Sequence, residues 1–173
     1  MWLHLRACLA VCRHCEENIV SMSGTIDALT EKAGKAAEEI SRADTGAKNT
    51  ALSTMAALLE ERCEDIVAAN QQDMEAARED GLDPALVERL VFDRGKVESR
   101  IGSLHKIAGL GDPVGQISEM ERRPNGLMVG RMRVPLGVIL MIYEARPHVT
   151  INAGAFALKS GNAIICKGGS EAL

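Results

Sequence analysis

The chain has 173 residues, a net charge of -4 and 46% apolar residues, so it can bury roughly 70% of the surface its unfolded form exposes and is not a disordered tail. The acidic balance excludes a general nucleic-acid binder, which needs clustered Lys and Arg to displace counterions, and the four aromatics, Trp2, Phe92, Tyr143 and Phe156, leave little to stack on bases. No run reaches the roughly 18 apolar residues that cross a membrane, and the short apolar stretch 7–12 lacks a clean cleavage site, so we expect a cytoplasmic protein with reduced cysteines.

Residues 1–21 read as an atypical leader outside the fold, because they hold three of the five cysteines, two of the four histidines and the single Trp. Met22 is then a candidate first residue. Cys8, Cys12 and Cys15 have a C-x3-C-x2-C spacing able to hold an iron-sulfur cluster, with His4 and His14 close by. Short cysteine patterns recur by chance, and the helices that follow do not read as a β/α barrel, so this is a minor alternative.

Beyond the leader, Ile26, Leu29, Ala33, Ala36, Ala37 and Ile40 recur at helical spacing with charged residues between them. A second helix carries Leu52, Met55, Leu59, Cys63, Ile66 and Val67, with Asn70 as its break. Gly81 suits the left-handed position after a helix, and Asp83-Pro84 reads as an N-cap followed by proline at the first helical position. A longer helix runs through Val97, Ile101, Leu104 and Ile107 until Gly109, Gly111 and Pro113 stop it.

After Pro124 the pattern changes to a strand pair over about 124–136, with Leu127, Val129 and Arg131 alternating and Arg122, Arg123, Arg131 and Arg133 forming a solvated basic cluster. Gly137 to Ile142 is a continuous apolar run, as expected of a parallel strand covered on both faces. Pro147 to Lys159 reads as a helix with Ile151, Ala155 and Leu158 inward, and Ala163 to Cys166 as a second buried strand, completing one βαβ unit. In such a unit both strands end on one rim of the sheet, where open α/β sheets bind ligands. Two segments leave that rim: Tyr143-Glu144-Ala145-Arg146-Pro147 and Lys167-Gly168-Gly169-Ser170-Glu171.

Arg133 to Ile139, Ile142 to Pro147 and Lys159 to Ala163, with Asn70, Asp73, Ala76, Gly81-Leu82, Arg89-Leu90 and Gly111 to Gly115 upstream, together resemble the γ-glutamyl phosphate reductases of the aldehyde dehydrogenase superfamily. The resemblance runs from about Ile26 to the last residue. It implies an α/β fold, with an amino-terminal helical layer followed by the first βαβ unit of a Rossmann-like cofactor domain; residues 22–173 would be the amino-terminal part of that domain, and 124–136 part of an oligomerisation arm.

The implied activity is NADPH-dependent reduction of γ-glutamyl phosphate to glutamate 5-semialdehyde and phosphate, in proline biosynthesis, by a homo-oligomer. By the same resemblance Lys167 stands where the superfamily carries the lysine that holds the cofactor's ribose, with Gly168, Gly169, Ser170, Glu144 and Ala145 beside it. Gly168-Gly169 replace the usual Pro-Ser, and Glu171 falls one place late. Arg146 is the candidate for the anionic substrate or the oxyanion, because guanidinium forks onto phosphate or carboxylate. Its bland alternative is an ion pair with Glu144 across the turn. His148 is expected to cap a helix or lie at the surface.

Cys63 and Cys166 read as small buried hydrophobes. The family's nucleophilic cysteine is expected in sequence that this chain does not contain, so the chain alone should be inactive. No metal is expected, and no G-x-G-x-x-G follows the first apolar strand. A non-catalytic remnant that retains cofactor binding is the competing reading. An isolated chain of this extent is expected to aggregate or to behave as a molten state, because the run 138–142 would lack part of its cover.

Overall fold

The computed structural model describes residues 10–11, 19–144 and 146–169, with side chains described from residue 25 onward. The cysteines and histidines of the leader, together with Ala145, Ser170 and Glu171, therefore lie outside the described residues. Among the described residues, six helices and two small sheets form the mixed α/β architecture that the alternation of helical and strand periodicities implies.

A two-residue strand, β1 (Ala10–Val11), precedes helix α1 (Ile19–Ser41). The helix starts before Ile26, which is itself exposed, and its inward stripe is Ala33, Ala36 and Ala37. Alanines let a helix backbone approach closely, and this stripe packs on Ala163 of the sheet.

Helix α2 (Thr45–Glu61) begins at Asp44, whose side chain accepts a 2.7 Å hydrogen bond from Ala47 N. Arg62 both ends α2 and starts α3 (Cys63–Glu79), so the expected single second helix is two. Nor is Asn70 a helix break. It sits buried within α3, where its side chain donates to Leu90 O at 2.8 Å and accepts from Phe92 N at 2.6 Å. A polar residue that serves another helix's end looks, in sequence, like a residue that ends its own.

Gly81, at φ 71°, takes the left-handed position after α3. Asp83 then caps α4 (Pro84–Leu90) through Ala85 N, as its sequence implies. Helix α5 (Arg94–Gly109) is capped by Asp93 and presents Val97, Leu104 and Ile107 inward.

The hairpin is longer than 124–136 suggests at its start, because it pairs β2 (Ile117–Arg122) with β3 (Met128–Met132). Every residue of both strands is exposed, so β2 carries no buried alternation to reveal it. Opposite Gly130 the β2 strand bulges, and a Cβ there would collide with the Met120 side chain. The basic cluster is solvated and partly paired, Arg131 with Glu119 and Arg123 with Glu121.

Strands β4 (Val138–Ile142) and β5 (Ala163–Lys167) are parallel and joined by α6 (His148–Lys159), and β5 also pairs with β1, giving the order β1-β5-β4. Ala155 and Leu158 of α6 meet Leu52, Ala56, Leu104 and Ile107 in the main core, with Ile151 packed against them. Strand β4 differs from expectation. It is the sheet's edge and is not covered on both faces, with Leu140 61% and Ile142 71% exposed.

That edge predicts how the chain behaves at concentration. A bare parallel edge with apolar side chains is a template for pairing with another chain. Replacing Leu140 and Ile142 together by lysine is expected to lower light scattering several-fold at matched concentration. Unchanged scattering would show that association starts elsewhere.

Candidate functional site

Because β4 and β5 run parallel in the register Val138↔Ala163 to Ile142↔Lys167, they end side by side. The ladder continues one step past β4, where Tyr143 N donates to Lys167 O at 3.0 Å. The Tyr143 ring lies beside Gly168, where an added Cβ would sit 3.7 Å from ring atoms. The Tyr143 hydroxyl bonds Thr150 Oγ1 in the first turn of α6. Tyr143 thereby ties both strand ends to the helix between them, a role that sequence reading missed because a tyrosine after an apolar run carries no pattern of its own.

Lys167 is exposed and donates to Gly168 O at 3.0 Å; Gly168 and Gly169 follow it with no side chains in the way. Arg146 is exposed four residues beyond the end of β4. Its carbonyl accepts from Val149 N at 3.0 Å, which fixes the backbone entering α6. Among the described residues Arg146 forms no ion pair, so the expected alternative of a bond to Glu144 is not what the turn adopts; Glu144 is likewise exposed. The two segments picked out by sequence thus leave the same rim. Their members Ala145 and Ser170 lie outside the described residues.

His148 is the first residue of α6 and half-buried, and neither it nor Pro147 supplies a side-chain cap. Burial, and after it the positive charges of Arg100, Arg146 and Lys96, hold the imidazole below its usual range. Cys166, buried in β5, has its thiol pushed upward by burial, and Cys63 is buried under Phe92 and Val97. Neither has the electropositive, accessible surroundings of a nucleophilic cysteine. No group of three or more His, Cys, Asp or Glu side chains among the described residues is placed to hold a metal.

The opposite rim of the sheet holds a different cluster. Lys48 is 1% exposed and bonds Asp112 at 2.9 Å, while Asp112 also receives Thr45 Oγ1 at 3.0 Å and Val114 N at 2.9 Å. Burial favours the protonated acid, but the bonds from Val114, Lys48 and Thr45 outweigh it, so the Asp112 carboxyl titrates below its ordinary value. Lys159, 4% exposed, pairs with no carboxylate among the described residues; its ammonium donates to Asn49 Oδ1 at 2.6 Å and to Ala108 O at 2.9 Å, in the last turn of α5. The negative end of a helix suits such a cation. Gly161 sits at φ 72°, and a Cβ there would press on Pro135 and Val114 and lie 3.7 Å from Lys48 Nζ. This cluster is far from the strands' carboxyl ends and reads as structural.

Comparison with known proteins gives a consistent picture. No protein-family model matches the chain. It is 49% identical over 154 residues to a γ-glutamyl phosphate reductase of Maridesulfovibrio salexigens, a match covering 89% of this chain and 37% of that protein. A second, from Sorangium cellulosum, is 46% identical over 162 residues, covering 91% and 38%. Among solved structures, the γ-glutamyl phosphate reductase of Thermotoga maritima superposes with a TM-score of 0.77 at 41% identity, covering 82% of this chain and 34% of that one. An NAD-dependent benzaldehyde dehydrogenase of Corynebacterium glutamicum superposes with a TM-score of 0.65 at 25% identity, covering 86% and 30%. The chain spans a little over a third of the length of the curated relatives it matches.

Proposed function

Because this chain is homologous to part of the γ-glutamyl phosphate reductases, within the aldehyde dehydrogenase superfamily, we propose that it forms the first βαβ unit and helical layer of an enzyme that reduces γ-glutamyl phosphate to glutamate 5-semialdehyde. The reaction consumes NADPH and a proton and releases NADP and inorganic phosphate. It belongs to proline biosynthesis, and we place it in the cytoplasm and in a homo-oligomer, with the exposed β2–β3 hairpin as the arm between copies.

The observation that carries this reading is the shared rim. Lys167 and Arg146 leave adjacent parallel strands at the same end, and the residues there fit a nucleotide. Lys167 offers an ammonium beside two glycines whose lack of side chains lets ribose and phosphate come close. NADPH, when bound, supplies the hydride. Lys167 would hold its adenosine ribose and 2′-phosphate, with Gly168, Gly169, Ser170, Glu144 and Ala145 around it. Arg146 would orient the anionic substrate by forked hydrogen bonds and oppose the charge that develops on the carbonyl oxygen. The two described cysteines are buried, so we expect neither to act as the nucleophile.

The test is cofactor binding by the chain, read by NADPH fluorescence. Lys167→Met is expected to weaken NADPH about tenfold, the scale of one charge-assisted hydrogen bond, and to weaken NADH less. Equal affinity of variant and parent for NADPH would remove Lys167 from the site and with it the cofactor reading.

A further inference from the structure

Helices α5 and α6 lie side by side and run the same way. At one end Lys159 of α6 reaches the carbonyl of Ala108 in α5. At the other, the charges of Lys96 and Arg100 of α5 reach His148 at the start of α6. Between them, Ile151 packs on the cluster holding Val97, and Ala155 and Leu158 on the one holding Leu104 and Ile107. Parallel packing brings both helix starts to the rim where β4 ends, since α6 follows β4 directly. The first half of α5 therefore adds its side chains to a site that the strand-end segments alone define in the sequence.

The charges gathered there are unbalanced. Arg100 is half-buried, and its guanidinium donates to Ser99 Oγ at 2.9 Å; among the described residues it forms no ion pair, and neither does Arg146. Lys96 bonds the Val91 carbonyl at 2.7 Å. On the acidic side, Asp93 is occupied in capping α5 through Lys96 N, and Glu64 pairs with Arg94. Glu144 is exposed in the segment after β4. The start of α6 has no side-chain cap, so amides of its first turn other than Val149 N, which donates to Arg146 O, can donate to a ligand oxygen. Half-burying the Arg100 guanidinium in positively charged surroundings, with no carboxylate bonded to it, is unfavourable unless an anion joins it.

We propose that Arg100 joins Arg146 and the uncapped start of α6 in a site for a phosphate dianion, with Lys96 at its edge. Two forks and the helix amides match the oxygens of one phosphate group, more acceptors than a carboxylate presents. The inference shares Arg146 with the proposed function but reaches further, because it gives α5 a share in ligand binding. Two phosphates could occupy the site: the acyl phosphate of the substrate, or the 2′-phosphate of the cofactor.

His148 supplies the readout, through the NMR shifts of its imidazole in this chain. Inorganic phosphate and acetyl phosphate are expected to raise its titration midpoint at millimolar concentration, because a dianion offsets the surrounding positive charge. Arg100→Gln should weaken that response about tenfold, Arg100→Lys less, and Arg122→Gln on the hairpin not at all. If Arg100→Gln weakens acetyl phosphate but not adenosine 2′-monophosphate, the site takes the substrate's phosphate; the reverse assigns it to the cofactor. Chloride at equal ionic strength producing the same response, or Arg100→Gln binding both probes as the parent does, would overturn the site. Failure of Lys167→Met to alter NADPH binding would leave it untouched.

Discussion

Asp112→Ala is expected to destabilise the chain by about 3–5 kcal/mol, the cost of leaving a buried charge without its partner. Lys48 is 1% exposed at its side chain and Asp112 13%, so solvent replaces little of what is lost. The carboxylate also holds Thr45 at the start of α2 and Val114 N before the hairpin, so its removal loosens three attachments at once. Urea unfolding followed by far-UV circular dichroism, in the Leu140→Lys, Ile142→Lys background, measures the loss. The double replacement Lys48→Met, Asp112→Val should restore most of it, because a well-packed apolar pair replaces an ion pair at little net cost.

The same carboxylate sets an acid limb. Its titration is depressed in the folded chain, so on acidification the unfolded chain binds the proton first. The stability it confers is complete above the ordinary value of 3.8 and is lost as pH falls through the lower folded value. Asp112→Ala should flatten that part of the profile. A variant within about 0.5 kcal/mol of the parent, the spread of ordinary surface substitutions, would show that the pair is not structural.

Asn70→Ala is expected to cost about 2–6 kcal/mol. Two buried backbone groups lose their partner together, the carbonyl of Leu90 and the N–H of Phe92, and each stranded group costs about 1–3 kcal/mol. The amide bridges α3 to the junction of α4 and α5, so exchange of the Phe92 amide should accelerate along with the global loss. Asn70→Asp tests the direction of the bonds. It retains an acceptor for Phe92 N but sets a carboxylate oxygen against the Leu90 carbonyl, and it should also destabilise. Full stability in the aspartate variant would mean the amide makes only one of its two contacts.

Local signals in the sequence carried most of the fold. The periodicities of α1, α5 and α6 and the apolar run of β5 were readable because each buries one stripe or run, and Asp83-Pro84 and Gly81 marked their turns by chemistry that acts over a few residues. The split of α2 from α3 was not readable. Leu59, Cys63 and Ile66 stay on a helical repeat through the bend at Arg62, and nothing local marks one irregular residue. Strand β2 escaped because no residue in it is buried, and Asn70 misled because its partners lie 20 and 22 residues away.

The rim showed the same division. Arg146 and Lys167 stood out because each lies at or just past the carboxyl end of an apolar strand run, whereas Arg100 sits mid-helix among other charges. Its relation to His148 exists only once α5 and α6 pack in parallel. Exposure of β4 was likewise a property of the sheet's order, which an apolar run does not state.

The latch of Lys159 on Asn49 spans 110 residues. At about 5–20 residues per second on the ribosome, Asn49 waits roughly 5–20 seconds for its partner to emerge. During that interval α2 and α5 can dock through Leu52 and Leu104, and Lys48 can find Asp112, so a helical platform exists before any of the βαβ unit is made. Vectorial synthesis therefore presents β4 and β5 to a prepared surface, and α6 fixes itself there by burying the tip of its own final lysine.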